Sequence, residues 1–224
     1  MFNLLKLFFV IGLLFAICGC LGYRGAGGDT AVQPHLVAEA AQPSELLNVN
    51  SVLILPFNFA ESARSVEGQA ELFYSELSTA AMESLSIKVF DDKGLFKNTK
   101  WATSADNLRN GMQIAKKIGA DAVVFTTLNS FVEREGSRLG AERPAQISFN
   151  MDLLRVSDQK SIWHASYFFR DQAVTENLLR VPQRIEDSAK PGWHAGWREA
   201  DKILAEGLRS ALTNLSLSRE EQFS

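Results

Sequence analysis

Cysteine is nearly absent from this sequence: there are two in 224 residues, Cys18 and Cys20, both within the first twenty positions. A disulfide-built scaffold is therefore excluded, because such folds need cysteines distributed along the chain. Histidine is almost as scarce. His35, His164 and His194 lie in three separate segments, which leaves little from which to build a His-based metal site. Basic residues are not in excess either, since 23 Lys and Arg stand against 26 Asp and Glu for a formal charge of −3. Counterion release from a concentrated basic face supplies much of the affinity for nucleic acid, so no nucleic-acid partner is expected. The densest basic cluster, Lys93, Lys97 and Lys100, is diluted by Asp91 and Asp92.

Phosphate loops, dinucleotide-binding glycine patterns, the H-E-x-x-H pair and the G-x-S-x-G nucleophile elbow are all missing. The acidic residues Asp91, Asp92, Glu133, Glu135 and Glu142 lack the alternating oxygen ligands of a hard-cation loop. No cofactor, no metal and no enzymatic activity are expected. Long apolar runs are lacking too. The longest uncharged apolar stretch near the start, residues 7–17, covers about 16 Å as a helix, roughly half a bilayer core.

What is present begins with that stretch. Residues 1–6 carry one positive charge, Lys6, and precede the apolar run in the order of a signal peptide. Ile17-Cys18-Gly19-Cys20 then resembles the bacterial lipobox, with an aliphatic residue at −3, small residues at −2 and −1, and the obligatory cysteine. Cys20 fits the +1 position and Cys18 does not, because Ile17 would then occupy −1. The resemblance implies cleavage between Gly19 and Cys20 and lipidation of Cys20 by a diacylglyceryl thioether and an N-acyl chain. Two or three acyl chains anchor stably where one binds marginally. Loss of Lys6 with residues 1–19 leaves 22 basic and 26 acidic side chains, or −4. Leu21 stands where, by resemblance to enterobacterial lipoproteins, an aspartate would favour inner-membrane retention, so an outer-membrane anchor with the domain in the periplasm is expected.

Residues 20–49 are rich in Gly, Ala and polar residues with Pro34 and Pro43 as breakers, and read as a lipidated cysteine followed by a flexible tether. Leu36, Val37, Leu46 and Leu47 are the positions able to dock on the domain. Residues 50–218 form the folded unit, with 219–224 as a polar tail. Its pattern predicts an α/β domain, with α+β as the alternative: a mixed sheet of about five strands containing an antiparallel hairpin, packed by two to three helices including a long C-terminal one. Ser51–Phe57 reads as a buried central strand, 66–85 as a helix, and Ile87–Phe90 as a second strand. Residues 91–103 read as a loop, Ser104–Ile118 as a helix stopped by a left-handed Gly119, and Asp121–Phe131 as a third strand. The segments 145–156 and 161–170 alternate with period two. Aligning their apolar faces pairs Leu153 with Trp163 and Phe149 with Tyr167, across an odd loop centred on Ser157-Asp158-Gln159 with a bulge. The last helix is expected over about Gly192–Leu217.

Two surfaces are candidates for function. The hairpin register sets Asp152 opposite His164 and Asn150 opposite Ser166, a polar row that invites a hydrolase reading through Asp152, His164 and Ser166. The glycine- and arginine-rich stretch carrying Arg134, Arg138 and Arg143 reads as an exposed hairpin tip suited to a protein partner, and Trp193 and Trp197, one helical turn apart, as a packing or ligand surface.

The segments VLILPF, IKVFD, AKKIGADAVVF and SDQKSIW together resemble, over roughly residues 51–170, the α/β domain of bacterial envelope lipoproteins. That group is related to the N-terminal domain of the Tol-system periplasmic protein, the curli-secretion lipoprotein and the lipoprotein activators of penicillin-binding proteins. The resemblance implies a non-enzymatic interaction or assembly module of the cell envelope, with an envelope protein as partner and room for an oligomer. An activator of a peptidoglycan synthase is the alternative within that class. The long inserted hairpins of the curli pore have no counterpart here.

Overall fold

The computed structural model describes residues 34–41, 43–91, 104–136, 141–170 and 198–221. Gly19, Cys20, Arg138, Trp193 and Trp197 lie outside them, as do the loop over 92–103 and the stretch 171–197.

Ser51–Ile54 (β2) is buried at every position, because Val52 and Ile54 project to one face of the sheet and Leu53 and Leu55 to the other. This is why the segment reads as an unbroken apolar run. A 3-10 stretch, Glu61–Gln69, leads into the helix Ala70–Ser84 (α2), and Lys88–Phe90 (β4) then pairs in parallel with β2. The helix Ser104–Ile118 (α3) returns the chain to Ala122–Val132 (β5), which is parallel to β2 on its other side. Since parallel crossovers are right-handed and these two run in opposite directions along the sheet, α2 and α3 fall on opposite faces. Gly119 has φ 76°, and the Ala120 N–H bonds the Ala115 carbonyl, closing α3 as its sequence predicts.

Gln146–Arg155 (β8) and Ser161–Arg170 (β9) form the expected hairpin. Leu153 pairs with Trp163, Phe149 with Tyr167, Asp152 with His164 and Asn150 with Ser166. The parity is restored within β9: Leu154 pairs with Ser161, so Ile162 is the extra residue, and Gln159 takes φ 61° in the turn. The short strands Glu135–Gly136 (β6) and Ala141–Arg143 (β7) pair antiparallel in a second, two-stranded sheet, which places the arginine-bearing segment in a hairpin. The main sheet is mixed and seven-stranded, in the order β1 (His35–Ala40), β9, β8, β5, β2, β4, with Asn58–Phe59 (β3) also on β5.

Four helices accompany it among the described residues: α2, α3, the short Pro43–Leu46 (α1) and Ala200–Glu220 (α4). On one face, Phe73 and Leu77 of α2 and Leu204, Leu208 and Leu215 of α4 pack with Phe149, Met151, Trp163 and Tyr167 into the main core. On the other, Met112 and Ala115 of α3 cover Leu53, Leu55, Val123 and Leu154.

Two boundaries differ from the sequence-based expectation. The sheet takes in His35–Ala40 (β1), antiparallel to β9, inside the segment assigned to the tether. Leu46 and Val49 are fully buried, Leu36 packs against the core, and Leu47 is half-buried while Val37 stays exposed. The folded unit thus reaches back to residue 35, because the β9 edge and the apolar end of α4 supply a long-range surface for small apolar residues whose local pattern is weak. At the other end α4 runs to Glu220 and Arg219 is buried, so the tail assigned from 219 begins inside a packed helix.

Candidate partner-binding surface

α3 covers one half of its face of the sheet, and the β1-β9-β8 half carries a polar row instead. Asp152 Oδ1 accepts a hydrogen bond from Ser161 Oγ at 3.0 Å and lies 2.9 Å from His164 Nδ1. Ser166 Oγ donates to Asn150 Oδ1 at 3.0 Å. Asp152 and His164 are therefore brought together as the register requires, but Ser166 belongs to the next rung. The serine that shares Asp152 is Ser161, and it contacts the same carboxylate oxygen as the imidazole. The hydrolase reading needs a serine delivering its proton to His164, and this arrangement supplies instead two hydrogen-bonded cross-strand rungs with a half-exposed imidazole.

The arginine-bearing hairpin is held by ion pairs. Arg143 Nη1 lies 2.9 Å from Glu135 Oε1 across β6 and β7, and Arg134, mostly buried, reaches Glu199 before α4 at 3.9 Å. Arg198 pairs with Glu206 and sits 5.3 Å over the Phe169 ring. Of the sequence-derived candidates, Arg134 and Arg143 are thus placed on the hairpin, with Arg134 fastening it to the start of α4. Arg198, just before α4, extends the cluster, and no local spacing in the sequence marks it.

A third cluster, with no local signal in the sequence, joins the β8-β9 turn to α1. Arg155 bonds Asp158 through Nε and Nη2 at 2.9 and 2.8 Å, and its Nη1 lies 3.3 Å from Glu45 of α1. The hydrogen bonds from Arg155 hold the Asp158 carboxyl down at about 2, and Asp158 in turn raises the guanidinium above its usual value. The cluster borders an open cleft of ≈ 490 Å³ that Lys116 and Asp121 also line. A depressed carboxyl contributes stability fully above its unfolded value near 4 and loses it as pH falls through about 2. Arg155→Met should therefore move the Asp158 midpoint up toward about 4 in a carboxyl NMR titration.

No family model matches the chain, and neither does any curated protein sequence. Solved structures similar to it include the PelC dodecamer from Paraburkholderia phytofirmans, at 10% identity over 82% of this chain and 98% of that one, with a TM-score of 0.48. Lipoprotein GNA1162 from Neisseria meningitidis is 18% identical over 62% of this chain and 99% of that one, with a TM-score of 0.41. The C-terminal domain of LpoB from Escherichia coli is 15% identical over 56% of this chain and 90% of that one, with a TM-score of 0.26.

Proposed function

We propose that the protein is a lipid-anchored component of the bacterial cell envelope, held at the outer membrane through Cys20. In this reading its α/β domain serves in the periplasm as a non-enzymatic interaction or assembly module. The observation that carries the reading is the sequence Ile17-Cys18-Gly19-Cys20 behind an apolar run too short to span a bilayer. Among the described residues no helix is long and apolar enough to cross a membrane.

The fold sharpens the consequence. Because the sheet takes up the chain at His35, only residues 21–34 lie between the anchor and β1, and even fully extended they reach no more than about 50 Å. The start of β1 would then lie within that distance of the leaflet.

Replacing each cysteine separately tests the anchor. Cys20→Ala should abolish incorporation of labelled palmitate and shift the protein out of the detergent-soluble membrane fraction, while Cys18→Ala should leave both unchanged. Palmitate labelling that survives Cys20→Ala would overturn the assignment. Crosslinking in intact cells followed by mass spectrometry tests the module: a recurrent envelope protein adduct supports it. An envelope defect in His164→Ala cells equal to that of a deletion would return the hydrolase reading.

A further inference from the structure

The outer edge of β1 is unpaired by any strand among the described residues, and its side chains are self-complementary. The Ala41 N–H bonds the Ile162 carbonyl, and that pair continues the β1-β9 register. Along an antiparallel ladder, inward and outward backbone groups alternate. The odd residues His35, Val37 and Glu39 therefore direct their N–H and C=O groups to β9, and the even residues Leu36, Ala38 and Ala40 direct theirs away from the sheet. A six-residue edge with such groups free is a template for another strand. His35–Ala40 has no lysine, no proline and no bulge to guard it, and its one carboxylate, Glu39, can be met by an imidazole.

On the open face of the sheet β1 presents His35, Val37 and Glu39, all exposed, with Val37 at 43%. An antiparallel partner must match outward-directed residues to outward-directed residues, which permits registers centred on single residues of β1. Centring on Val37 sets Val37 against Val37 of a second copy, His35 against Glu39 on both sides, and Leu36 against Ala38. Moving the centre to Ala38 would set Val37 against a carboxylate, and moving it to Leu36 would leave Glu39 without an imidazole. Charge and apolarity thus select one two-fold register. Pro34 lacks an N–H and ends the ladder at its outer end.

We infer that β1 is a homodimerisation edge, joining two copies of this chain through antiparallel β1-β1 pairing centred on Val37. The two-fold axis runs perpendicular to the sheet, so the polar rows of both copies lie on one continuous face. This inference stands on the fold and does not depend on the anchor.

The central pair is a non-hydrogen-bonded one, with Cα atoms about 4.5 Å apart, within the range a disulfide accepts. Val37→Cys in a full chain whose Cys18 and Cys20 are changed to alanine has a single thiol. In detergent, mild oxidation should convert most of it to a covalent dimer, while Thr79→Cys, exposed on α2, should stay monomeric under the same conditions. In the second arm, light scattering should find the otherwise unchanged chain dimeric and Val37→Lys, which sets two ammonium groups face to face, weakened at least tenfold in association. Glu39→Lys should also weaken it, and His35→Glu combined with Glu39→Lys should restore it. Equal crosslinking at 37 and 79, or a Val37→Lys chain that associates like the parent, would overturn the inference.

Discussion

Arg219→Met is expected to lower the thermal midpoint by roughly 5–12 °C. Arg219 lies in the last turn of α4 with its side chain turned inward, 8% exposed. Its Nε donates to the Leu46 carbonyl at 3.2 Å and its Nη2 to the Val49 carbonyl at 2.8 Å. Those carbonyls belong to the last residue of α1 and to the turn after it, where Leu46 and Val49 point into the core and the Leu46 carbonyl also accepts the Val49 N–H at 3.2 Å. Burial lowers the guanidinium's pKa, the sign of a charge held away from water. Methionine fills much of the volume and removes the desolvation cost, but leaves the buried Val49 carbonyl without its guanidinium donor and the Leu46 carbonyl with the Val49 N–H alone. The balance is a loss of about 2–4 kcal/mol, and a domain of this size shifts by about 2–4 °C per kcal/mol. Calorimetry measures the midpoint, and amide exchange at Asn50 and Ser51 should accelerate with it. A midpoint within 1–2 °C of the parent would show that water serves the carbonyls equally well.

Gly207→Val is expected to cost about 3 kcal/mol or more. A Cβ at position 207 would sit 2.7–2.9 Å from the Cε1, Cζ and Cδ1 atoms of Tyr167. α4 therefore lies flush on the sheet at that point, with the ring occupying the space a side chain would take. The ring has little freedom to yield: Tyr167 is 2% exposed and stacks on Phe149 with centroids 5.0 Å apart and planes at 20°. Gly207→Ala should cost less, because alanine regains about 1 kcal/mol of helix propensity against the same clash. Tyr167→Ala alone should cost about 3–5 kcal/mol through lost burial and the cavity it leaves. The double variant Gly207→Val/Tyr167→Ala should be more stable than the sum of its parts by about 1 kcal/mol or more, since valine then enters the vacated space. Denaturant unfolding of the four proteins gives the coupling directly. Strict additivity would place the strain elsewhere on α4.

The elements that were legible in the sequence are those whose signal is local. Period two across 145–156 and 161–170, with the requirement that both apolar faces point the same way, fixes the β8-β9 register down to the Asp152–His164 pair. Gly119 after AKKI and the unbroken VLIL run are equally local signs of a helix end and a doubly covered strand. β1 escaped because His35–Ala40 alternates only small apolar residues with mixed ones, and Val37 breaks the alternation on the solvent side. Its reason for being a strand is β9, far along the chain. Arg155, Arg198 and Arg219 escaped for the same reason: an arginine's role depends on which backbone or carboxylate lies beside it, and neither charge nor spacing records that. Of the candidate site, the Asp152–His164 contact and the Asn150–Ser166 rung were legible from the register, and Ser161 as the serine on Asp152 was not, since hydroxyl partners within a polar row are chosen by rotamer rather than by register.

Leu46 and Val49 lie 173 and 170 residues from the guanidinium that bonds their carbonyls, and β1 lies more than a hundred residues from β9. During synthesis, the first strand of this domain emerges with no strand to pair with until β9 has followed, most of the chain later. Contacts of such separation form late and slowly. A chain drawn through a narrow translocation channel from its N-terminus would thus stay threadable almost to its last turn, and would lock only when Arg219 arrives.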